Sequence, residues 1–136
     1  MRRLNPSQAT ACAAAAGGTL TCIQGPPGTG KTNVAVAILY AWVRSGCLGG
    51  GAALATSDSN IAVDNLLEGL VAAGVKAVRL GRPDSVRPEL LQYCPDAGTA
   101  SSGDKAADYA AKLAAVRSAE VVCATCVFAS PRLSYS

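Results

Sequence analysis

Histidine is absent from this 136-residue chain. That removes the commonest general base, every His-containing zinc site, and the Ser–His and Cys–His nucleophilic pairs. Aromatic residues make up only 4% of a chain that is 50% hydrophobic, so its apolar material is mostly Ala, Val and Leu. Such a mixture suits helices packed on a parallel sheet. No apolar run reaches the roughly 18 residues of a membrane span, because Arg44 and the glycines at 46 and 49–51 interrupt the longest one. The triplet Asn5-Pro6-Ser7 carries proline where a glycosylation sequon forbids it. Cys123-Ala124-Thr125-Cys126 has no companion C-x-x-C, and it continues an apolar strand, so buried thiols rather than metal or redox chemistry are expected. With thiols reduced inside a cell, no disulfide is expected either. A net charge of +3 is too small to establish a polyanionic partner. No secretion or targeting signal stands out at the start, and the reading is of an intracellular protein, cytoplasmic or nuclear.

What is present is concentrated in Gly25-Pro26-Pro27-Gly28-Thr29-Gly30-Lys31-Thr32. This stretch satisfies the phosphate-loop pattern G-x-x-x-x-G-K-[ST] at every fixed position. Its glycines let main-chain N–H groups approach a phosphate. Lys31 can place a point charge on the β- and γ-phosphates, and the Thr32 hydroxyl can ligate Mg²⁺. Thr19–Ile23 before the loop is short, apolar and β-branched and reads as a buried strand. Residues 31–45 after it read as a helix whose positive N-terminal end faces the anion. A nucleoside phosphate and Mg²⁺ are the expected ligands.

Asn5 and Pro6 are N-cap and first-turn signals for an opening helix that Gly17-Gly18 ends. Gln8, on that helix, is either an exposed helical residue or an adenine reader, since an amide both donates and accepts. Further strands are expected at Ala52–Ala55, Val75–Leu80 (interrupted by Lys76 and Arg79) and Val121–Ala124. Helices are expected at 61–73 and 104–118. The helix at 61–73 puts Val63, Leu66, Leu67, Leu70 and Val71 on one face. Gly81 to Gly103 reads as an irregular excursion with one helical turn near Glu89–Tyr93. Strands alternating with helix-length crossovers predict an α/β fold with a parallel sheet and helices on both faces. A phosphate-loop hydrolase also needs an acid-terminated strand to hold metal and water. Asp58 is the only candidate, and capping the helix that starts near Asn60 is its simpler role.

Leu4-Asn5-x-x-Gln8, Ile23 to Thr32, Ser59-Asn60-Ile61-Ala62-Val63-Asp64-Asn65-Leu66, Val78-Arg79-Leu80-Gly81 and Val121 to Cys126 occur in the order seen in superfamily 1 helicases. The set resembles the up-frameshift-like branch, which includes the nonsense-mediated-decay RNA helicase, from residue 4 to about 128. The phosphate loop alone also suits AAA+ ATPases; the Ser59–Leu66 block is the more selective part. The resemblance implies a truncated RecA-like ATP-binding domain over residues 1–136. It implies that Gln8 reads adenine, that Gly25, Pro26, Pro27, Gly28, Thr29, Gly30, Lys31 and Thr32 bind ATP, and that Thr32 ligates Mg²⁺. Ser59, Asn60 and Thr125 would touch the backbone of single-stranded RNA or DNA. The family's Asp-Glu motif, its γ-phosphate-sensing glutamine and the second RecA-like domain are not found in the sequence. The expectation is therefore a helicase fragment that binds ATP without turning it over. A non-catalytic nucleotide-dependent binding module, or another P-loop NTPase such as an AAA+ protein, is the alternative.

Overall fold

The computed structural model describes residues 3–26, 30–98 and 103–129. It opens with helix α1, Pro6–Gly17, whose start is fixed by a reciprocal cap. The Gln8 N–H donates to the Asn5 side-chain oxygen at 2.8 Å, and the Asn5 N–H donates to Gln8 Oε1 at 3.0 Å. Two otherwise orphaned helix-end donors are thereby satisfied. Gly18 stands at the helix's other end.

Helix α2 spans Lys31–Ser45, with Gly30 at its N-cap and Gly46 at its C-cap. Strand β1, Ala53–Ser57, leads into α3, Asn60–Ala72. Val63, Leu66, Leu67 and Leu70 of α3 are buried, the i, i+3, i+4, i+7 stripe read from the sequence. Strand β2, Ala77–Arg79, is followed by three short 3-10 turns at Pro83–Ser85, Pro88–Tyr93 and Pro95–Gly98. Helix α4, Lys105–Ser118, begins at an Asp104 cap and precedes β3, Val121–Thr125, and a single turn, α5, Cys126–Ala129.

The three strands form one parallel sheet in the order β1-β3-β2. Ala53 pairs with Val121 and Ser57 with Thr125 on one side, and Ala77 pairs with Val121 on the other. The α/β class and the parallel sheet follow the sequence reading. Cover is unequal between the faces. Ala53 and Ala55 are buried in the core with the α3 stripe, whereas Leu54 between them is 61% exposed.

Two expectations are corrected. Thr19–Ile23 forms no strand: it pairs with no part of the sheet, and Leu20 is 86% exposed. An apolar β-branched run becomes a strand only where a neighbouring strand accepts its hydrogen bonds, and β1 makes its ladder with β3 alone. The segment from Gly81 to Gly98 is more than an excursion, since Val86, Leu90 and Cys94 belong to the core cluster. Gly103 apart, the rest of that stretch lies outside the described residues.

Candidate nucleotide site and strand-end polar cluster

The first half of the site is a cleft of about 500 Å³ at the start of α2, where α1 packs against it. Gln8, Gly25, Pro26 and Lys31 line it together with the apolar Ala11, Ile23, Val34 and Ile38. A volume of that order accommodates a nucleotide-sized ligand, and apolar walls with a few convergent polar groups are the usual make-up of such sites. Gly30 adopts φ +79°, the left-handed region that disfavours side chains, and a Cβ there would sit 2.7 Å from Gln8 Nε2. Only glycine lets α1 bring Gln8 so close to the loop. The N–H groups of the first turn of α2 open at the same point, with the partial positive charge of the helix end behind them.

Thr32 is one helical step on and lines a neighbouring depression with Gly30, Asn33 and Asn65. Lys31 and Thr32, adjacent in the chain, thus line different depressions and are not brought into one cleft. Glu68, which also lines that depression, is already engaged by the Arg87 guanidinium at 2.7 Å. Pro27, Gly28 and Thr29 lie outside the described residues. The Gln8 side chain has a structural duty, because its oxygen closes the α1 cap.

The second half of the site lies where β1 and β3 end. Ser57 and Thr125 are register partners, and α3 starts three residues after Ser57. The structure thus gathers Ser59, Asn60 and Thr125 at the C-terminal edge of the sheet, where open α/β sheets carry their ligands. Ser59, not Asp58, is the helix cap: its hydroxyl oxygen accepts from the Ala62 N–H at 3.2 Å. Asp58 is exposed. Thr125 accepts from the Phe128 N–H at 3.3 Å and so starts α5.

Sequence reasoning gave the Arg79 side chain no role, noting it as an interruption of a strand and as part of the Val78–Gly81 block. It is fully buried. Its Nε donates to Asp64 Oδ1 at 3.0 Å and its Nη2 donates to Asn60 Oδ1 at 2.8 Å, while Nη1 donates to the Leu80 carbonyl. Asp64 also accepts from the Arg87 N–H at 3.1 Å. The available signal was the spacing of Asn60, Asp64 and Glu68, four apart on one helix face, with two arginines downstream.

Burial pushes the Cys123 thiol up to about 12, with the Arg79 charge opposing the rise. Cys123 is buried whereas Cys126 is exposed, so the C-x-x-C pair is split between the core and the surface.

The sequence family described as "AAA domain" matches residues 3–115. The chain belongs to this family. Within it, the chain corresponds to the N-terminal part of an up-frameshift-like superfamily 1 helicase. It is 38% identical, over 160 aligned positions and 96% of its length, to the putative regulator of nonsense transcripts 1 of Takifugu rubripes. To the DNA-binding protein SMUBP-2 of Rattus norvegicus it is 40% identical over 73% of its length. To an uncharacterized ATP-dependent helicase of Methanocaldococcus jannaschii it is 41% identical over 54%. The chain covers only 14%, 10% and 11% of these relatives respectively. Among the described residues no helix is long and apolar enough to cross a membrane.

Proposed function

We propose that this chain is the ATP-binding part of an ATP-dependent nucleic-acid helicase. The convergence of Gln8, Gly25 and Lys31 on one cleft at the start of α2 carries the reading. The phosphate chain of Mg-ATP, when bound, supplies the negative charge for which the loop is suited. Lys31 would place its ammonium against the β- and γ-phosphates, and backbone N–H groups at the start of α2 would donate to the same oxygens. The Thr32 hydroxyl is the metal ligand on the protein side. Gln8 reads adenine through its side-chain amide, which can both donate and accept, with the Asn5 contact fixing its orientation. Ser59, Asn60 and Thr125 touch the phosphates of single-stranded RNA or DNA, holding the strand without reading its sequence.

Binding without turnover is the expected behaviour of the chain by itself. Hydrolysis needs a phosphate cradle, an acid to hold metal and water, and a cation over the developing charge. No carboxylate lines the cleft that Lys31 and Gln8 share, among the described residues. The test is phosphate release from the folded chain with and without oligo-dT or oligo-U. Release at background in both is expected. Strand-stimulated turnover that Lys31→Ala abolishes contradicts the non-hydrolytic reading, and if Asp58→Ala abolishes it too, Asp58 is the metal-holding acid.

A further inference from the structure

Asn60 is exposed at the first position of α3, yet its side-chain oxygen is held from below by a residue that solvent never reaches. A guanidinium has only donors to offer, so the atom of Asn60 that faces Arg79 must be the oxygen. The amide nitrogen, with its two donors, is thereby turned the other way, and no described residue accepts from it. A freely rotating asparagine at a helix start would present oxygen and nitrogen alternately, and the oxygen repels a phosphate. We propose that Arg79 is a positioning residue for nucleic-acid contact: it fixes Asn60 with the donor end outward, poised for the backbone phosphates of a single strand. This rests on the reading of Asn60 as a strand contact.

The rest of the network is built to keep the fork in one place. Asp64, one helical turn beyond Asn60, accepts a hydrogen bond from the Nε–H, and the Leu80 carbonyl accepts one from Nη1. Gly81 makes room: at φ +152° it approaches so closely that a Cβ would lie 2.8 Å from Nη1. The spacing Arg79-Leu80-Gly81 and the spacing Asn60-x-x-x-Asp64 are thus two halves of one device. A lysine at 79 keeps the charge beside Asp64 but has no fixed fork to serve Asn60 as well.

The experiment is a double-mutant cycle on the whole chain, with fluorescein-labelled oligo-dT and oligo-U as probes and Mg-ATP affinity as the control. Asn60→Ala and Arg79→Lys are each expected to weaken strand binding about fivefold, the size of one lost hydrogen bond. The double variant is expected to bind no more weakly than Asn60→Ala alone, with ATP affinity unchanged throughout. In ¹⁵N–¹H spectra the Asn60 side-chain amide pair, assigned by its loss in Asn60→Ala, is expected to move in Arg79→Lys. Should Arg79→Lys fail to fold, Asn60→Asp serves: it keeps the acceptor for Arg79 but loses the donor. It is expected to melt no lower than wild type while binding strands at least fivefold more weakly. Wild-type strand affinity in Arg79→Lys or Asn60→Asp, or an Arg79→Lys loss that persists in the Asn60→Ala background, overturns the role of Arg79. Undiminished binding in Asn60→Ala removes the strand-contact reading itself, and this role with it.

Discussion

Cys123 shows how burial and chemistry are linked at the scale of one side chain. Its thiol lies against the Arg79 charge, yet desolvation wins and the pKa rises from an ordinary 9.0 to about 12. The unfolded chain starts to lose this proton near pH 9, and the folded chain keeps it until about pH 12. Stability from this group is therefore intact below pH 9 and drains away between pH 9 and 12, on the order of 1 kcal/mol per pH unit. Thermal melts from pH 8 to 11 should fall more steeply for wild type than for Cys123→Ala, once both are referenced to pH 8; parallel slopes would contradict this. Thiol labelling of the folded protein at pH 8 should reach the exposed Cys22, Cys47 and Cys126 and spare Cys94 and Cys123. Residue by residue, legibility followed how local each signal was. Asn5 and Pro6 mark the helix start locally and were read correctly, whereas the return contact from the Gln8 side chain that completes the cap was not foreseen. Arg79 looked like a flaw in a strand because its partners stand 15 and 19 positions earlier. Asp58 and Ser59 are neighbours with equal chemical credentials for a cap, and only the backbone course decided for Ser59.

Helix α3 is the element on which the most depends. One face supplies the core stripe, its first turn supplies Ser59 and Asn60, and a third line, Asn60-Asp64-Glu68, is gripped by two arginines. The two ion pairs on that line should differ in worth. Asp64 and Arg79 are 3% and 0% exposed at the side chain, whereas Glu68 and Arg87 are 62% and 38% exposed. Removing one partner of a buried pair strands the other charge and costs about 3–5 kcal/mol. An exposed pair is screened and is worth at most about 1 kcal/mol. Urea titrations should show Asp64→Ala destabilised by about 3–5 kcal/mol and Glu68→Ala by less than about 1 kcal/mol. Equal losses would mean that Asp64 contributes nothing through its buried partner. Helices were legible as elements because each carries its own hydrogen bonds and its own apolar period. Thr19–Ile23 was not, because a strand exists only as half of a pair.

Across the whole molecule, the two places proposed to meet anions stand on different elements. The cleft between α1 and α2 holds Lys31, Gly25 and the amide of Gln8, while the polar ends of β1 and β3 with the start of α3 hold Ser59, Asn60 and Thr125. The parallel sheet was legible from alternating elements. The cover of each face was not, since Leu54 is as apolar as any core residue and still stands 61% exposed. The proposed function rests on ATP binding through Lys31 in the cleft at the start of α2. Calorimetric titration of Mg-ATP into folded wild type and Lys31→Ala, with circular dichroism to establish equal folding, tests it most directly. One saturable site is expected in wild type, weakened by about 1.5–3 kcal/mol in Lys31→Ala, the value of a charge-assisted contact to phosphate. Equal affinity in the two proteins would contradict the account.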